Sequence, residues 1–134
     1  MFLRVKPMVE RSTKCKVLVV EDDPVSCQAM QALLTRWGHE VSSCYTSADA
    51  IESLDDRAHQ CIILDLMLPG VNGIEVLRAI RERGLPIHVA VVTGAFDPAL
   101  LRDVRALKPD LFLKKPIELS QLKDWLETVH DHAD

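Results

Sequence analysis

Four short aliphatic runs in this chain each end in polar side chains: Val17-Leu18-Val19-Val20 in Glu21-Asp22, Cys61-Ile62-Ile63-Leu64 in Asp65, Val89-Ala90-Val91-Val92 in Thr93, and Leu111-Phe112-Leu113 in Lys114-Lys115-Pro116. If the runs lie side by side, their ends deliver these groups to one place. Glu21, Asp22 and Asp65 then set three negative charges in one cleft, which is costly without a cation. Carboxylate oxygens grouped in this way suit a hydrated Mg²⁺. Alone, each piece reads blandly: an acid pair caps a helix, Thr-Gly makes a turn, and Lys-Pro enters a loop. Their recurrence at matching positions gives the chemical reading its weight.

Short continuous apolar runs are the pattern of strands buried on both faces. Segments of helical period separate them, so strand and helix alternate and the expected fold is α/β, an open parallel sheet covered by helices on both sides. Ligands of such sheets bind at the carboxyl ends of the strands, where the chain order reverses. Asp23-Pro24 predicts a helix start, with an acidic N-cap and proline where no backbone donor is needed. That helix is expected to run to about Trp37, stop at Gly38, and pack through Val25, Ala29, Ala32, Leu33 and Trp37. A strand over Glu40 to Tyr45 and a short helix capped by Ser47 follow, ending at Leu54. After Asp65, Leu66 to Gly73 forms a loop dense in turn residues. Ile74, Val76, Leu77 and Ile80 mark a third helix closed by Gly84. Asp97-Pro98 starts a fourth, which ends before Pro109. The fifth runs from about Leu119, with Leu122, Leu126 and Val129 inward and Trp125 on the flank.

The chain has 134 residues and a net charge of -4, enough for one domain with its own core. Its acidic balance gives no general affinity for nucleic acid or anionic membrane. No stretch approaches the roughly 20 apolar residues of a membrane span. Cys15, Cys27, Cys44 and Cys61 lack the close spacing of zinc or redox pairs, so three of them are expected to be small buried hydrophobes in a reduced cytosol. The basic stretch of residues 1–14 lacks the apolar segment of a signal peptide and reads as a flexible extension, with the domain over residues 15–132. His39, His59, His88, His130 and His132 are dispersed and suggest no site.

Taken together, Val-Val-Glu21-Asp22-Asp23-Pro24, Leu64-Asp65-Leu-Met-Leu-Pro69-Gly70-Val-Asn-Gly73, Val-Val-Thr93-Gly94 and Lys115-Pro116 resemble the receiver domain of two-component response regulators. The resemblance spans roughly residues 15 to 132, with the motifs in family order. It implies a flavodoxin-like (βα)5 sheet of strand order 2-1-3-4-5 and phosphorylation of Asp65. A carboxylate can accept a phosphoryl group because the acyl phosphate it forms is itself transferable. By the same resemblance Mg²⁺, with Mn²⁺ as a substitute, is held by Glu21, Asp22, Asp65 and the backbone carbonyl of Met67. Phosphoryl transfer mainly needs charge neutralisation and alignment. Lys115 would share the neutralisation, and the Thr93 hydroxyl and Gly94 backbone N–H would bind phosphoryl oxygens. Lys114 is expected to face the other way. Thr93 and Phe112 would form the switch: Thr93 moves toward phosphate, the ring follows, and the surface of the fourth helix, fifth strand and fifth helix changes, including Arg102, Arg105, Lys114 and Lys123.

The expected function is a stand-alone receiver in the cytoplasm, not an enzyme in its own right. It would take phosphate from a histidine kinase or histidine phosphotransfer protein and signal to a downstream protein target, as a monomer or a phosphorylation-dependent dimer without membrane or nucleic-acid contacts. A receiver module cut from a hybrid kinase or longer regulator has the same sequence features. A third reading is a phosphate-independent interaction module of this fold. Two other classes fit poorly. A flavin carrier needs a phosphate-cradling loop where Glu21-Asp22-Asp23 would repel the phosphate, and an aspartate-based phosphatase typically has a second aspartate where Met67 stands. Met67 and Ala95 cannot hold a hydrolytic water by side-chain hydrogen bonds, so self-dephosphorylation is expected to be slow.

Overall fold

The computed structural model describes residues 14–54, 59–67, 73–94 and 97–131. Five strands, β1 (Lys16–Val20), β2 (Glu40–Cys44), β3 (Cys61–Asp65), β4 (His88–Thr93) and β5 (Leu111–Lys114), alternate with five helices, α1 (Pro24–Arg36), α2 (Ser47–Ser53), α3 (Ile74–Glu82), α4 (Pro98–Ala106) and α5 (Leu119–Asp131). The strands pair in parallel in the order β2-β1-β3-β4-β5. Chain order reverses between β1 and β3, so β1, β3 and β4 open their carboxyl ends into a common crevice.

Alternation along each strand divides the core between two layers. Leu18, Val20, Ile62, Leu64, Val89 and Val91 face α2, α3 and α4, joining Leu54, Leu77, Ile80 and Val104. Val17, Val19, Cys61, Ile63, Ala90 and Val92 face α1 and α5, joining Cys27, Leu34, Leu122, Leu126 and Val129. Cys15, Cys27 and Cys61 are buried and all four cysteines are free. The third helix buries Ile74, Val76, Leu77 and Ile80 as expected, and Trp125 is half-buried beside the inward stripe of α5.

The helix ends follow local chemistry, with one correction. Asp23 caps α1 by accepting from Ser26 N–H at 3.0 Å, and Asp97 caps α4 by accepting from Ala99 N–H at 3.1 Å. For α2 the cap is Thr46, not Ser47: the Thr46 hydroxyl oxygen accepts from Asp49 N–H at 3.1 Å, while Ser47 is the first helical residue and is buried. A threonine in extended conformation presents its oxygen to the first turn as well as serine does. The strand before it is also one residue shorter than expected, ending at Cys44. Beyond α1 and α3, Gly38 and Gly84 take φ of 99° and 63°, the left-handed region that suits glycine after a helix.

The expected inward face of α1 holds at Trp37 and at half-buried Leu33 but fails at Val25, Ala29 and Ala32. Cys27 and Leu34 are its buried residues, with Met30 and Trp37 packed against the same cluster, whereas Val25 is 75% exposed and Ala29 and Ala32 are exposed. Small apolar residues surround this helix, so more than one stripe can be drawn. Leaving alanine methyls in water costs little compared with leaving Leu34 there.

Residues 1–13 lie outside the described residues. Lys14 N–H donates to Gly38 O at 2.9 Å and its ammonium pairs with Glu127 at 2.9 Å. His39 packs close by at only 5% exposure, and its Nδ1 has no hydrogen-bond partner. Burial, followed by the Lys14 charge, pushes His39 below its ordinary value of 6.5. The unfolded chain therefore binds a proton that the folded chain resists, so this contribution to stability is whole above pH 6.5 and is lost as pH falls through the lowered folded value. Urea midpoints of the native chain should decline in that acidic window. His39→Gln should flatten this part of the profile, and an unchanged slope would remove His39 as its source.

Candidate phosphoacceptor and cation site

Asp65 closes β3 at 5% exposure, and both its oxygens are engaged. Oδ2 accepts from the Lys115 ammonium at 2.8 Å, and Oδ1 accepts from Met67 N–H at 2.9 Å. Lys115 also reaches Glu21 Oε1 at 3.3 Å, while Glu21 Oε2 accepts from Asp23 N–H at 3.1 Å. Strand pairing accounts for this convergence. Val20 is level with Leu64 and Asp65 with Val92, so the residues that follow β1 and the last residues of β3 and β4 end at one height. Lys115 follows β5 and donates its backbone N–H to Thr93 O at 2.9 Å.

The electrostatics favour a cation. Glu21, Asp22 and Asp65 each offer a carboxylate oxygen within 4.8 Å of the others. Burial raises Glu21 above its ordinary value of 4.5 and Asp65 raises it further, against lowering by Asp23 N–H and Lys115. Burial works to lower Lys115, but its bond to Asp65 and the charges of Asp65 and Glu21 outweigh it and hold the ammonium above 10.5. One ammonium thus faces three acids. An all-oxygen donor set of this charge fits a hard divalent ion.

Thr93 is fully buried at the end of β4, and Gly94 follows it in the open, where an added Cβ would lie 4.0 Å from Lys115 Cβ. Phe112 on β5 is level with Val91, two residues before Thr93, so Phe112 and Thr93 share a face of the sheet. The ring is half-buried against the α2-α3-α4 layer, with the Arg105 guanidinium 5.6 Å from its centroid. Lys114 is exposed. Met67 is 56% exposed. Ala95 and residues 68–72 lie outside the described residues. The structure therefore brings Glu21, Asp22, Asp65, Met67, Thr93, Gly94 and Lys115 to one end of the sheet, with Phe112 farther down β5.

One contributor escaped sequence reasoning. Gly73 N–H donates to Leu66 O at 3.0 Å, and a Cβ on Gly73 would run into the backbone oxygen of Asp65. The Pro69-Gly70-Val71-Asn72-Gly73 stretch signals a turn, but nothing in it says that its last glycine lies against the backbone of Asp65.

Residues 17–127 match the family model described as the response regulator receiver domain. The chain belongs to that family. Among curated relatives, this receiver is 31% identical over 122 residues to the transcriptional regulatory protein ZraR of Salmonella typhimurium, covering 90% of the chain and 27% of the relative. It is 32% identical over 110 residues to the transcriptional regulatory protein DltR of Streptococcus agalactiae, covering 80% of the chain and 48% of the relative. The receiver thus spans half or less of these relatives' lengths. Of the solved structures, the signal receiver domain of a LuxO repressor protein from Vibrio parahaemolyticus superposes with a TM-score of 0.80 at 28% identity, covering 90% of this chain and 92% of that one. A Francisella response regulator receiver domain, at 19% identity and a TM-score of 0.80, shows the same fold.

Receiver domains generally use Mg²⁺, and the three carboxylates of this one suit it. A ligand that binds only the folded state stabilises it by mass action, by about 2.7 kcal/mol at a hundredfold excess over Kd. Mg²⁺ is expected to raise the Tm of the native chain, with a smaller rise in Glu21→Gln. An equal rise in both would take Glu21 out of the cation site.

Proposed function

We propose that this receiver accepts a phosphoryl group on Asp65 from a histidine kinase or histidine phosphotransfer protein and passes the signal on through protein contacts. The observation that carries the reading is the Asp65 carboxylate, buried at a strand end, with Lys115 at 2.8 Å and two further acids beside it. In the transfer, an Asp65 oxygen forms a bond to phosphorus as the phosphorus–nitrogen bond of the donor phosphohistidine breaks, and the freed imidazole nitrogen leaves with its electron pair. Glu21, Asp22, Asp65 and the Met67 carbonyl would hold Mg²⁺, which supplies positive charge against the phosphoryl oxygens. Lys115 shifts its ammonium from the carboxylate to those oxygens. The Thr93 hydroxyl and the Gly94 N–H donate to them as well.

Drawing Thr93 toward phosphate frees space on the face it shares with Phe112. The ring then moves inward and loosens its contact with Arg105, which changes the surface of α4, β5 and α5. This is a population shift between two states, and phosphate acts by binding one of them better. The same chemistry and surface serve a cytoplasmic stand-alone receiver or the input module of a longer regulator. No helix among the described residues is long and apolar enough to cross a membrane.

Intact mass after incubation with acetyl phosphate and Mg²⁺ tests the reading. The expected result is a gain of one phosphoryl group, lost with a chelator. The gain should persist after the donor is removed, because the exposed Met67 side chain cannot orient an attacking water. No gain from acetyl phosphate or from a kinase donor, with no Mg²⁺-dependent binding of beryllofluoride, would replace this reading with a phosphate-independent interaction module.

A further inference from the structure

A half-open cleft of about 360 Å³ lies beside Asp65, between α1 and the start of α5. Its floor is Val19, Ile63 and Val92, the sheet residues that face α1 and α5 just below the polar strand ends. Met30, Ile117 and Leu119 supply apolar walls, and Glu21, Asp65 and Lys115 form the mouth. The local sequence keeps the cleft open. The lining residue in the first turn of α1 is the small Ser26, whose hydroxyl is turned to Asp23 at 2.7 Å. Val25 beside it is exposed and takes no part in the lining.

We propose that this cleft is a binding site for small organic cations, in which an ammonium or amidinium head is carried on a compact apolar body. Ligand pockets typically span about 300–1,000 Å³ and combine apolar linings with a few convergent polar groups. Two carboxylates against one ammonium leave the mouth net negative, and exposed Asp22 adds to that field. The imbalance attracts cations and repels carboxylate or phosphate ligands. A hydrated metal ion answers the charge and leaves the apolar floor wet, whereas an organic cation answers both. The two share Glu21 and Asp65, so they compete, and the organic ligand holds the receiver unphosphorylated. The inference rests on reading the acid cluster as a cation site.

Methyl NMR of the full chain, titrated with benzylamine, benzyl alcohol and benzoate, tests it. Benzylamine is expected to shift the Val19, Ile63 and Val92 methyls, with benzyl alcohol about tenfold weaker and benzoate silent. Saturating Mg²⁺ should weaken benzylamine by about tenfold or more. Met30→Trp, which fills the cleft, should abolish the benzylamine response and keep that to Mg²⁺; if this variant does not fold, the probe series on the native chain decides. Equal binding of amine and alcohol would overturn the proposal, as would amine binding undiminished by Mg²⁺ that itself shifts signals at Glu21 and Asp22. A Mg²⁺ response near Glu21 and Asp22 without a benzylamine response would remove the cleft site alone. Benzylamine binding without any Mg²⁺ response would remove the metal reading and leave the cleft as a cation site.

Discussion

Replacing Asp65 with asparagine is expected to reduce phosphoryl incorporation by at least about a thousandfold, to below detection by intact mass. The substitution preserves shape and removes the charge of the proposed nucleophile. A neutral amide oxygen is a poor attacking group and would form no transferable acyl phosphate. Folding should survive. Lys115 loses a partner at 2.8 Å but keeps Glu21 at 3.3 Å, and its side chain is partly in solvent, so the substitution leaves no ammonium buried and unpaired. Removing the Asp65 charge also relieves Glu21, whose proton affinity Asp65 raises. The variant should therefore melt close to the native chain while taking no phosphate. A phosphorylated Asp65→Asn chain of native stability would place the acceptor elsewhere, whereas a chain that fails to fold would show that the carboxylate is structural.

The second large effect is one of stability. Gly73→Ala is expected to cost about 3 kcal/mol and lower Tm by roughly 10 °C. A Cβ at Gly73 would meet the backbone oxygen of Asp65, and would lie 2.7 Å from Leu66 Cα and 3.0 Å from Leu66 O. Backbone atoms cannot rotate aside as a side chain can, so the main chain at Gly73 or at Asp65 and Leu66 must move. Its movement strains the Gly73 N–H bond to Leu66 O and displaces Asp65 and the Met67 carbonyl with it. Mg²⁺ binding should fall along with stability. Gly84→Ala is the control: a Cβ there meets nothing within 4 Å at φ of 63°, so only the left-handed backbone penalty of about 1 kcal/mol applies. Equal losses in the two variants would mean that the close approach at Gly73 is relieved without cost.

Much of this receiver is decided by local pattern. Four apolar runs with helical segments between them lead to a parallel sheet because a strand buried on both faces must be apolar throughout, and a parallel return requires a crossover. Asp23-Pro24 and Asp97-Pro98 mark helix starts because capping and proline geometry act within a single turn. The residues gathered at the site were legible because each one sits at or just beyond the end of such a run.

What the sequence left open was every choice among near-equivalent contacts between elements. Val25, Ala29 and Ala32 make a plausible inner face for α1, and only packing against Leu122 and Leu126 selects Cys27, Met30 and Leu34 instead. His39 reads as one dispersed histidine, and its burial follows from the docking of Lys14 and α5 around it. Gly73 needs to be glycine because its own backbone lies against that of Asp65 and Leu66, and the cleft beside Asp65 is lined on α1 by the small Ser26. Secondary structure and the site's residue types follow from local chain physics. Which face is buried, and how closely two backbones approach, depend on close packing among all the elements together.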